Sequence, residues 1–194
     1  IAVTASRTSV VRGNQFSVTL EGMPGTVYIV WVENTGQMTG LSQDQPPYLL
    51  PSQSGLRSDP ENGPYQFGGY QFQGGNGRTV RDDVPASPAN GTIYYGRVSL
   101  STTGTRTIQW QTTHQTKDRS YTIHVERGPP GPNGLPEIFS SVTRYSAAEV
   151  DILVEKGAVT IIAEGDHSSH ESENELPDIT PVTASLRPTS LPTT

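Results

Sequence analysis

Asp59, Glu61, Asp82 and Asp83 stand in one weakly patterned stretch, with Asp44 upstream of them. These residue types could hold a hard cation. Calcium takes six to eight oxygens, and loop carboxylates with backbone carbonyls supply them. The spacing fits no EF-hand loop, so the competing reading is a set of solvated carboxylates with Asp82 paired to Arg78 or Arg81. Ca²⁺ is the one cofactor left open, and no other is expected. A second candidate tract holds His167 and His170, three apart among acids. Zinc or copper could bind two imidazoles there. The HExxH order is missing and no rigid scaffold is predicted, so a solvated linker is expected.

Nothing else in the chain has the arrangement of a catalyst. There is no cysteine, which removes thiol nucleophiles, thiolate ligands and disulfides. No G-x-S-x-G elbow is present to activate a serine. Gly74-Gly75-Asn76-Gly77 lacks the Gly-Lys-Ser/Thr of a phosphate loop. His114 falls in a predicted loop and His124 on the polar phase of a predicted strand. The expectation is no enzymatic activity and no catalytic residue. Asn90-Gly91-Thr92 is a glycosylation sequon, which makes Asn90 the candidate acceptor. The same Asn-Gly pair also suits a type I′ turn. The Thr/Ser-rich end from Thr180 could carry O-linked sugar.

The elements that would position these residues are strands. Phe16, Val18 and Leu20 alternate with Ser17 and Thr19. Residues 27–32 are apolar on both phases, with Val27, Ile29 and Trp31 opposite Tyr28, Val30 and Val32. That pattern predicts a central strand covered on both faces. Residues 93–100, 105–112, 120–126 and 149–155 repeat the period-two pattern, with turn signals between them. Trp31, Trp110 and Ile123 are predicted core residues lying between two packed sheets. Between the early strands, 34–90 is broken by Pro46-Pro47, Asp59-Pro60, Gly63-Pro64 and several glycine pairs. It reads as a long insertion with one or two short strands against the sandwich edge. Tyr65, Phe67, Tyr70 and Phe72 give it apolar bulk, either as packing or as a platform for sugar rings.

These patterns predict an all-β fold: an antiparallel β-sandwich over 1–156, with an extended tail or the start of a second module over 157–194. Gly128 to Pro136 reads as a surface crossing. Val3 to Val10 reads VTASRTSV, and Val182 to Leu191 reads VTASLRPTSL. The echo makes Val182, Ala184 and Leu186 candidates for an assembly strand added to a neighbouring copy. Thirteen basic residues against nineteen acidic ones give a net charge of −6. They are scattered, so no nucleic-acid footprint is expected. No run approaches the ~20 apolar residues of a membrane helix. The chain starts at Ile1 rather than Met, as a processed or partial chain would.

YIVWVENTGQMTG at 28–40, Pro46-Pro47, GPYQFGGY at 63–70, GGNGRTVRDDVP at 74–85, GTIYY at 91–95 and GTRTIQWQTTHQTKDRSYTI at 104–123 follow one another in order. In that order the chain resembles the Ig-like modules of methanogen S-layer-type surface proteins, over about 1–163. The resemblance implies an Ig-like sandwich in a secreted archaeal envelope protein without enzymatic activity. It further implies self-assembly into a surface layer, sheath or fibre. A glycan-binding or adhesion module on the cell surface is the alternative.

Overall fold

The computed structural model describes residues 1–41, 43–87, 92–127 and 147–157. Asn90, the His167–His170 tract and the Val182–Leu191 echo lie outside the described residues, as does the tail beyond 157.

Two sheets form the body. β1 (Ala2–Ala5), β2 (Ser9–Val11), β3 (Gln15–Glu21) and β4 (Val27–Val32) come first. β5 (Tyr48–Leu49), β6 (Leu56–Arg57) and one helical turn, α1 (Val80–Asp83), lie in the insertion. β7 (Tyr95–Ser99), β8 (Thr105–Gln111), β9 (Ser120–Glu126) and β10 (Ala147–Glu155) complete the chain. One sheet has the order β1-β3-β8-β5 and the other β2-β10-β9-β4-β7-β6. The first strand segment therefore divides. β1 pairs with β3 antiparallel, while β2 crosses to the other sheet and runs parallel to β10. That parallel pair is a departure from the expected all-antiparallel arrangement.

Alternation decides which residues meet between the sheets. Phe16, Val18 and Leu20 of β3 face Tyr28, Val30 and Val32 of β4, with Ile108, Trp110, Ile123 and Ile152 in the same cluster. Trp110 stacks on Phe16, their rings 6.3 Å apart and 7° from parallel. A large aromatic buried this way removes about 150–250 Å² of surface from water.

Trp31 belongs elsewhere, which corrects the expected core. It lies on the outer face of β4 with Ile29, and the insertion covers that face with Phe67, Tyr70, Phe72, Val80 and Val84. Strand β4 is covered on both sides as its pattern requires. The second cover is the insertion rather than a sheet. The insertion thus does more than lean on the sandwich edge: it adds β5 and β6 to the two sheets and builds a second core on the outside of the six-stranded one.

Candidate functional site

Three buried carboxylates fasten the insertion. Asp59 is 3 % exposed. Its Oδ1 accepts the amides of Gln66 and Phe67, and its Oδ2 those of Phe67 and Gly68, at 2.8–3.2 Å. The Tyr95 hydroxyl donates to the same Oδ2 at 3.2 Å. Burial, then the Asp59 charge beside it, pushes the Tyr95 hydroxyl well above its ordinary pKa, so it stays a donor. Asp83 accepts the Trp31 indole N–H and the Asn34 amide, both at 3.0 Å, and pairs with Arg78 at 2.9 Å. Glu126, fully buried on β9, accepts the Tyr70 hydroxyl at 2.6 Å and the Gln73 amide at 3.2 Å. Bonds to a charged acceptor are worth about 1.5–3 kcal/mol each, more than neutral ones. They hold a segment that has little regular structure of its own.

Beside Glu126 lies a group of ionisable side chains gathered on His124. Register places Trp31 of β4 opposite His124 of β9, and Glu149 of β10 opposite His124 on its other side. The imidazole Nδ1 is 2.9 Å from Glu149 Oε1 and 3.7 Å from Glu33 Oε2. Its Nε2 is 3.5 Å from Glu126 Oε2. Glu33 is placed by its backbone N–H, which donates to the Thr122 carbonyl at 2.9 Å. The His124 side chain is 7 % exposed, while the Glu149 carboxylate is 54 % exposed and opens the group to solvent. Neither ring nitrogen makes a hydrogen bond of good geometry. Burial works against a charge on His124, yet the surrounding Glu126, Glu33 and Glu149 outweigh it and raise its pKa. Burial likewise raises Glu33, opposed by His124 and reinforced by Glu149 and Asp83. Nδ1, Glu33 and Glu149 offer three ligand atoms within 4.8 Å of one another.

The four acids expected to bind calcium do not form a site. Asp59 and Asp83 have N–H groups pointed at both carboxylate oxygens, and a positive dipole end already occupies each place where a cation would sit. Asp82 closes a capping box with Thr79, accepting its amide and hydroxyl at 2.8 Å. Its predicted pairing with Arg78 is corrected, since Arg78 pairs with Asp83. Asp44 pairs with Lys117. Of the four, Glu61 and Asp82 share a surface hollow of about 370 Å³ that Tyr65 and Arg81 also line. The sugar-platform reading of the insertion aromatics also loses its basis: Phe67, Tyr70 and Phe72 are 3–6 % exposed, and only Tyr65, under the Arg81 guanidinium, is half-open.

No family model and no curated protein matches this chain. Among solved structures, one described as "AvmM Catalyzes Macrocyclization in Alchivemycin A Biosynthesis" is similar at a TM-score of 0.36 and 11 % identity, over 82 % of this chain and 91 % of that one. That protein is described as catalysing a reaction, and the expectation of no enzymatic activity is not carried further. A likeness of that size assigns no reaction here.

Sequence reading missed the group around His124. It places His124 on the polar phase of its strand, with Thr122 and Glu126, and the structure buries that phase at His124 and Glu126. The available signal was Trp31, an indole on the outward phase of β4 that needed a cover.

Proposed function

We propose that this chain is an Ig-like β-sandwich module of a secreted, extracellular assembly, and that it joins neighbouring copies through a sheet edge. The strand orders β1-β3-β8 and β10-β9-β4 correspond to A-B-E and G-F-C of that architecture, with β7 and β6 extending the second sheet. The resemblance to methanogen S-layer-type modules supports the same reading.

The observation that carries it is at β2, the last strand of the six-stranded sheet. Val10 and Val154 point inward and are buried, while Val11 and Leu153 point outward and are 42 % and 44 % exposed. A terminal strand with apolar residues beside it is usually blocked, since it templates pairing with another chain. Here a strand from the next copy is the cover, and residues 182–191 are the donor because they repeat the sequence that forms β1 and the approach to β2. This mode of sheet extension takes affinity from backbone hydrogen bonds and specificity from alternate side chains.

Electron microscopy and light scattering of the chain with and without residues 158–194 test this. Ordered polymers from the whole chain and folded monomers from the shortened one are expected. Monomers from both at high concentration would overturn assembly, and equal polymers from both would overturn the donor.

A further inference from the structure

We propose that Glu33, His124 Nδ1 and Glu149 bind a divalent transition metal of the zinc class, with Glu126 as the outer carboxylate that orients the imidazole.

Geometry is the first argument. Zinc–ligand bonds of about 2.0–2.1 Å in a tetrahedron separate ligand atoms by about 3.3 Å. The distances from Nδ1 to the two carboxylates, 2.9 and 3.7 Å, bracket that spacing. Small side-chain adjustments would centre an ion, and the exposed side of Glu149 leaves a fourth position for water. One imidazole with two carboxylates suits zinc better than calcium, which demands six to eight oxygens.

The second argument is the state of His124 itself. It is more than nine-tenths buried, and both nitrogens lack a well-aligned partner. A buried polar atom left this way costs about 1–3 kcal/mol. An ion at Nδ1 removes that cost and leaves the proton on Nε2, facing Glu126. Histidine ligands characteristically donate their other N–H to a carboxylate, which fixes ring and tautomer. Glu126 is fixed in turn by Tyr70 and Gln73, and the ring plane is fixed by Trp31.

Charge is the third. Among the described residues, the ion pairs of Glu33, Glu126 and Glu149 are all with this one imidazole. Three carboxylates around a single monovalent cation leave an excess of negative charge, which a dication in its place reduces.

Cobalt(II) is the probe, added to the whole chain carrying His167→Ala and His170→Ala so that the tail tract is removed. The expected result is a tetrahedral visible absorption that saturates at a single equivalent and is displaced by Zn²⁺. Glu149→Gln and Glu33→Gln should each weaken binding at least tenfold. Glu126→Gln should weaken it about tenfold through the imidazole, and Glu155→Gln on the same strand as Glu149 should leave it unchanged. Circular dichroism of each variant checks that the sandwich is intact. Absence of a tetrahedral band, or an affinity in Glu33→Gln and Glu149→Gln unchanged from that of the parent chain, overturns the site.

Discussion

The imidazole of His124 lies against the indole of Trp31, with ring centroids 4.2 Å apart and planes 27° from parallel. The two are cross-strand partners on β9 and β4, so the stack is set by register. Trp31 also touches Phe72 of the insertion at 5.3 Å and donates to Asp83. One indole therefore joins the six-stranded sheet, its cover and the acidic group around His124.

Stability should fall as pH rises through the titration of His124. Its pKa in the fold is raised above the ordinary 6.5, against burial, by Glu126, Glu33 and Glu149. A raised value means the folded state holds the proton more tightly than the unfolded one. The contribution is fully present below the unfolded value and disappears as pH climbs through the folded one. Glu33, raised chiefly by burial from 4.5, acts in the same direction at lower pH. Urea unfolding between about pH 5.5 and 8.5, with a chelator present, reads this histidine window. The midpoint should decline with pH, and Glu149→Gln should flatten the decline. An unchanged slope in that variant would remove the electrostatic account.

Trp31→Phe should cost more than Trp110→Phe, by roughly 2 kcal/mol. Both lose ring volume from a packed core. Only Trp31 has an indole N–H bonded to a buried carboxylate, and its loss strips Asp83 of a donor. The Trp110 N–H is buried without a partner, so deleting it relieves a penalty while the ring stack on Phe16 is retained. Paired denaturation curves decide the order, and equal costs would count against it.

Much of the sandwich was legible because its signal is local. Phe16-Val18-Leu20 and Tyr121-Ile123-Val125 each announce a half-buried strand, and the two-phase apolar run of β4 announces cover on both faces. What covers the outer phase was not legible. Phe67, Tyr70 and Phe72 have no periodicity, and their order comes from Asp59, Asp83 and Glu126 accepting N–H and O–H groups from across the fold. Such contacts leave no spacing rule in a sequence. The acids were visible as chemistry, but Asp59 is taken up by backbone amides, Asp83 by Trp31, Asn34 and Arg78, and Asp82 by Thr79. His124 and Glu149 come from two strands that meet through register, and Glu33 comes from the turn that follows β4.

Gly104→Ala should destabilise by about 2–3 kcal/mol, and Gly25→Ala by about 1. Both glycines have positive φ, +80° and +69°, which any side chain makes costly. At Gly104 an added Cβ would also collide with the Gly22 carbonyl, whereas at Gly25 it would meet open space. Gly22 donates to the Gly104 carbonyl at 2.8 Å, so the two turns cannot separate without losing that bond. Thermal melts of the two variants measure the collision by difference, and equal melting temperatures would show that the turns yield freely.

Asp59→Ala should loosen the insertion before it unfolds the sandwich. The substitution leaves the amides of Gln66, Phe67 and Gly68 without their acceptor, and those of Phe67 and Gly68 are buried. At about 1–3 kcal/mol for each unsatisfied group, a loss of about 3 kcal/mol or more is expected, enough to open the segment locally. Gly68 shows how tight the cradle is, because a Cβ there would run into the Tyr95 hydroxyl. Asp59→Asn keeps one oxygen but turns an NH₂ toward donors, so it should recover only part of the loss. Hydrogen exchange separates local from global opening. Amides 66–73 should exchange much faster in Asp59→Ala, while those of β3 and β8, in the opposite sheet, stay protected. Uniform acceleration across both sheets would mean that the outer core and the sandwich unfold as a single unit, and that the insertion is integral to the fold rather than fastened onto it.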